Sequence, residues 1–363
     1  MLKKSSVAIA ISSLFLAANA SAVTIYENDS GDFVKLYGEV GVGGHIGAEY
    51  EYGEFYKDQE FIDDSFATMG VKGKQSKMHY RLELDYEREN WAYGSGDLVL
   101  AIDKMFIGYD VYQTQNMKHY LEFGLTDTAF DDYDKWGDFT FDTTVETGEA
   151  GDQDSTVKYE GLFYQVFKVG ASFTYGAESS SGSALGDVSN GYIGYFGDRF
   201  SVVFGIEGRV GSDGESKYGK QELYGGGARF AITDDWHLGV NFYQEEEYLG
   251  SCTNTLTDSF SGESKCVGVY NDYQKEENSG FLTSVKYIIN PQWEMTGSYN
   301  YEKFEKWELA GQERNAEPTD WDNERKWGTV GISYKPTRSS VIALEMNMGE
   351  AAQDAYAYAR VYF

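Results

Sequence analysis

The chain has 363 residues, with 59 acidic side chains against 30 basic ones and a formal charge of -29. Nucleic-acid phosphates would be repelled by that charge, so no nucleic-acid partner is expected. An aromatic content of 16% excludes a solvated tail. Beyond the first residues, no run of eighteen apolar residues exists to form a membrane-crossing helix.

Lys3 and Lys4, the apolar stretch Val7 to Ala18 and the small residues Ala20-Ser21-Ala22 predict a secretory signal peptide over 1–22. The remainder, 23–363, reads as one domain. The chain is polar on average, with mean hydropathy -0.49, yet one motif recurs from Val23 onward. About ten residues alternate apolar and polar, then a turn or a polar loop follows. In a strand such alternation gives one greasy face and one wet face. Val34, Leu36, Val40 and Val42 oppose Lys35, Tyr37 and Glu39; Tyr80, Leu82, Leu84 and Tyr86 alternate with Arg81, Glu83, Asp85 and Glu87.

Sixteen such segments are expected, at 33–49, 63–74, 77–89, 98–111, 118–126, 155–161, 164–178, 188–197, 200–211, 220–233, 236–248, 272–289, 293–306, 323–335, 340–350 and 355–363. An even number of strands with both termini on one side suits a closed barrel. Turns such as Gln75-Ser76 and Gly197-Asp198-Arg199 are tight, whereas 50–62, 127–154, 249–271 and 307–322 read as long loops. Short periplasmic turns and long external loops are the asymmetry of outer-membrane barrels. The three prolines, Pro291, Pro318 and Pro336, are expected outside strand interiors because proline cannot donate to a ladder. The sequence thus predicts an all-β, 16-stranded antiparallel transmembrane β-barrel. A β-sandwich has no need of so many segments, and no propeller-blade repeat occurs.

Cys252 and Cys266 enclose thirteen residues. In an exported chain they are expected to form a disulfide, removing about 3 kcal/mol of unfolded-state entropy. Catalytic signatures are missing. The four histidines are scattered, no Gly-x-Ser-x-Gly elbow occurs, and Asp132 to Thr143 fails as a calcium loop at Trp136 and Thr143. No enzyme, metal or cofactor is expected.

Three strings carry a family resemblance. Val23-Thr24-Ile25-Tyr26-Glu27-Asn28-Asp29 followed by Val34-Lys35-Leu36-Tyr37-Gly38 resembles the opening strand of the general porins of Gram-negative bacteria. Phe66 to Gly73 resembles their second strand, and Arg360-Val361-Tyr362-Phe363 their aromatic C-terminus. The resemblance implies a bacterial outer-membrane homotrimer, surrounded by lipid and lipopolysaccharide, that passes small hydrophilic solutes. It also implies a third external loop folded into the lumen, here Asp127 to Asp154.

Members of the family typically oppose an acidic loop with a basic wall. The acidic half is present in Asp131, Asp132, Asp134, Asp138 and Asp142. The wall departs from the pattern: Glu39 stands where a Lys is usual, Thr68 at an Arg position, and Asp103, beside Lys104, at another. Lys72, Arg81 and Arg360 are the main basic candidates on the inward face, with Lys168, Arg209, Arg229 and Lys286. An acid-lined constriction would concentrate cations. Two alternatives stay open at this point: a sugar channel using Tyr37, Trp327, Tyr356 and Tyr358, and a surface adhesin acting through acidic loops.

Overall fold

The computed structural model describes residues 22–51, 54–55, 61–90, 95–141, 147–178, 184–210, 221–252, 255–257, 264–266, 270–309, 316–350 and 352–363. The expected signal peptide therefore lies outside the described residues, as does Asp142.

Sixteen strands make the wall. They are β1 Phe33–Glu51, β2 Phe66–Gln75, β3 Met78–Asn90, β4 Ser95–Gln113, β5 Met117–Asp127, β6 Asp152–Phe163, β7 Phe167–Glu178 and β8 Ala184–Phe196. The second half comprises β9 Phe200–Val210, β10 Gln221–Ala231, β11 Trp236–Cys252, β12 Tyr270–Asn290, β13 Trp293–Leu309, β14 Ala316–Thr337, β15 Ser340–Gly349 and β16 Ala352–Tyr362. Each pairs antiparallel with its neighbour, and β16 returns to β1 from Glu39↔Tyr362 to Glu49↔Ala352. Below that seam Gly38 and Phe363 exchange backbone hydrogen bonds of 2.8 Å in both directions. A short N-terminal strand, Val23–Glu27, continues the same edge of β1 through Val23↔Leu36 and Glu27↔Phe33. Among the described residues each of the sixteen strands is paired on both sides, so the ring of backbone hydrogen bonds closes, as a bilayer requires.

The burial pattern inverts that of a soluble protein. Leu344 is 55% exposed and Val42 61%, whereas the adjacent Glu345 is 1% exposed and Lys158 4%. Apolar side chains point out to lipid and polar ones into the lumen. Near the short turns the outer face carries aromatic contacts, among them Trp236 stacked on Tyr287 at 4.5 Å and Trp293 by Tyr334 at 4.7 Å. Such rings suit the membrane–water boundary.

Several loop expectations change. Segment 307–322 is largely strand, because β13 runs to Leu309 and β14 begins at Ala316. Segment 249–271 is shortened by β11 and β12 and contains a small hairpin, Thr255–Thr257 with Ser264–Cys266. Pro318 consequently lies within β14, beside the register shift that places it opposite Trp307, and Pro336 lies at a second shift. Above the bilayer both faces are wet, so the binary pattern that marks a strand fades there. Cys252 and Cys266 both have strand backbone; their side chains lie outside the described residues, and with them the expected bridge.

Arg at a lipid-facing position near mid-strand carries a charge into hydrocarbon. Leu344→Arg is expected to destabilise the folded barrel by about 2–4 kcal/mol, measured by reversible denaturant unfolding in lipid vesicles.

Candidate functional site: the third loop and the lumen wall

The segment after β5 does not rise out of the barrel. It crosses the inner wall from β7 to β16, held by a run of wall side chains. Ser172 Oγ accepts from Ala129 N at 2.9 Å and Asn190 Oδ1 from Phe130 N at 2.6 Å. Asn241 Nδ2 donates to the carbonyls of Asp134 (2.7 Å) and Trp136 (3.1 Å), and Ser284 Oγ to that of Gly137 (2.5 Å). Arg229 donates to Asp138 O at 3.1 Å with its guanidinium 3.9 Å from the Trp136 ring centre. At the far end Glu345 accepts from Phe141 N at 2.8 Å, and the Phe141 ring meets Tyr358 edge-on at 5.6 Å.

The seat beneath this loop is apolar and bare. Phe130 and Tyr133 pack with Tyr192, Phe196, Val203 and Leu223 on the inward faces of β8 to β10. Gly205 and Gly225 leave space for the Phe130 ring, and Gly227 for the Trp136 carbonyl. A Cβ at Gly205 or Gly227 would overlap those atoms. Two-residue alternation does not mark these positions, although a signal exists. Val202-Val203-Phe204-Gly205-Ile206 is apolar on both faces, and Gly225-Gly226-Gly227 follows on the next strand.

Lys104, on the neighbouring strand β4, ties the root of the loop to the wall. Its ammonium bonds the carboxylates of Asp127 and Asp152 and lies 3.6 Å from Asp103. The alternation on β4 leaves open which of Asp103 and Lys104 faces inward. A β-bulge decides it: Glu83 pairs with Lys104 and Leu84 with Ile102, leaving Asp103 as the extra residue. A bulge places both neighbours on the lumen side. Asp127, Asp131 and Asp152 bring carboxylate oxygens within 4.8 Å of one another, with the Lys104 cation already among them.

Of the loop acids, Asp132 is exposed, with Lys158 at 4.0 Å. Asp131 meets Glu149, and burial, reinforced by that neighbouring charge, pushes Asp131 well above the usual carboxylate range; burial raises Glu149 as well. The pair therefore carries less than two charges near neutrality. Asp138 folds back to accept from Thr140 N (2.9 Å) and Oγ1 (2.7 Å), and Asp134 accepts from Thr147 at 3.3 Å.

The opposite wall is mixed rather than purely acidic. Glu39, Thr68 and Asp85 form one row across β1 to β3, but Arg360 lies 4.0 Å from Glu39. Arg81 pairs with Glu83 at 2.8 Å and donates to Tyr37 OH at 2.6 Å, while Lys72 sits over the Tyr37 ring at 4.8 Å. The aromatics considered for sugar stacking are engaged elsewhere. Tyr37 meets these cations, Trp327 is 3% exposed beside Tyr243 and Leu282, and Tyr356 stacks on His45 at 4.6 Å.

Neither family models nor curated proteins give a match to this sequence. Solved structures do. The trimer form of in-vitro folded OmpT, an outer membrane protein of Vibrio cholerae, is similar at TM-score 0.63 and 15% identity over 92% of this chain and 99% of that one. OmpF of Salmonella typhi, solved with daunomycin, is similar at 0.61 and 12% over 94% and 100%. An anion-selective porin of Comamonas acidovorans is similar at 0.58 and 10% over 92% and 100%. At these identities the likeness is one of fold, and the fold is that of the outer-membrane porins.

The glycine seat yields a direct expectation. Gly227→Val forces the Trp136 carbonyl off the wall and the loop toward the axis, so single-channel conductance falls while the folded barrel remains heat-modifiable on gels.

Proposed function

We propose that this chain is a water-filled diffusion channel of the bacterial outer membrane, passing ions and small hydrophilic solutes with a bias to cations, and that it is not an enzyme. One observation carries the reading: a lumen lined by polar side chains and crossed by a loop that is pinned along the wall. Such a geometry sorts solutes by size and charge and needs no reacting group. The bias to cations is supported by exposed Asp132, by the row of Glu39 and Asp85, and by Asp103 brought inward at the bulge. Negative potential within low-dielectric walls raises local cation concentration. Arg360, Arg81 and Lys104 temper that field, so the expected preference is moderate.

A KCl gradient across a planar bilayer tests this reading. The reversal potential is expected to have the sign of potassium preference, and Asp132→Asn to reduce the cation-to-anion permeability ratio by roughly half. A chloride preference would overturn the cation bias, and a protein without conductance would overturn the channel.

We also propose a homotrimer embedded in outer-membrane lipid and lipopolysaccharide. Support comes from the trimer form of the Vibrio neighbour and from the outward face of β16, where Ala355, Ala357 and Ala359 are exposed and permit close approach of a second wall. Light scattering of the detergent-solubilised protein is expected to give three chains per particle; a monomer would refute this.

A further inference from the structure

Given the channel proposed above, we infer that the third loop divides the lumen into two compartments of opposite charge, so that ionic current passes more readily in one sense than the other. The loop marks a level on each strand it touches, through Ser172, Asn190, Gly227, Gly239, Ser284 and Glu345. Inward residues of β7 to β16 then fall on its turn side or on its external side.

On the turn side Lys335 pairs with Glu294 at 2.8 Å. Arg229 and Lys286 add positive charge there, Lys168 faces Glu160 of β6, and Arg360 faces Glu39 across the seam. On the external side three pairs balance: Arg209 with Glu207 (2.8 Å), Lys306 with Glu276 (2.8 Å) and Arg325 with Glu302. Glu245, Glu247 and Asp354 add negative charge to that side. On β1 to β6 the turn half holds both signs, with Lys74 against Asp110 and Arg81 against Glu83, and with Lys35 and Lys72 opposite one another. The external half there adds Asp85, Asp103 and the loop acids, held in part by Lys104 and Lys158.

Two charged zones in series act on current direction. With the external side positive, cations enter through the acidic zone and anions through the basic zone, each as the favoured counterion, so both accumulate in the pore. With the polarity reversed, each ion must enter through the zone that repels it, and the lumen depletes. The difference requires a screening length comparable to the pore, about 10 Å at 0.1 M salt and 3 Å at 1 M.

The test uses the membrane-purified protein in planar bilayers, its orientation read by side-specific proteolysis of the external segments. At about 0.1 M KCl the current is expected to be about twofold larger with the external side positive, and the asymmetry to vanish near 1 M. Lys168→Gln with Lys286→Gln, and separately Glu245→Gln with Glu247→Gln, are each expected to bring the ratio toward one. A conducting protein with symmetric current at low salt, or with the opposite sense, overturns the inference and leaves the channel standing. A protein that does not conduct overturns both.

Discussion

Hydrocarbon offers no hydrogen-bond partner, and every feature of this protein follows from satisfying its backbone under that constraint. A sheet with a free edge is not stable in lipid, so β16 must return to β1. The Gly38–Phe363 exchange and the N-terminal strand Val23–Glu27 complete the ladder where β16 ends. Closure then fixes the chemistry of the two faces. Apolar side chains take the outer one, and the inner one becomes a polar compartment whose partners must be other side chains, water or solute.

That interior explains why the third loop lies where it does. A loop inside a barrel carries carbonyls and amides that need partners, and Asn241, Ser284, Arg229 and Asn190 supply them from the wall. The apolar seat at Val203 and Leu223 provides the desolvation that a purely polar lumen would not. At roughly 25 cal/mol per Å² of apolar surface, burying an aromatic such as Phe130, which is fully covered, outweighs any single hydrogen bond of about 1 kcal/mol in the same loop. The glycines of β9 and β10 allow that contact by removing the side chains that would hold the loop away.

Charge sign is a separate matter from architecture. The same fold accommodates an anion-selective porin, so the barrel does not choose the ion; the placement of individual side chains does. Lys104 illustrates the point. It lies among Asp103, Asp127 and Asp152, and without it these carboxylates would repel one another in a half-buried site. The acidic row on the facing wall is likewise moderated by Arg360, which arrives from the other end of the sequence.

The strand number, the two faces and the turns were legible in the sequence because a period of two is local, and lipid against water makes it strong. Glu39 and Tyr37 point inward as their alternation with Val40 and Leu36 requires, and Thr68 as its alternation with Met69 requires. Above the bilayer both faces are solvated, the pattern weakens, and the external ends of β13 and β14 read as a loop containing Pro318. Alternation cannot resolve Asp103 from Lys104, since a bulge is one residue of pairing between strands and leaves no mark on either strand alone. Nor does residue order show that Arg360 sits by Glu39, that Gly227 receives Trp136, or that Asp131 and Glu149 meet. Those contacts join segments far apart in the chain, and only closing the barrel and laying the loop across it bring them within reach.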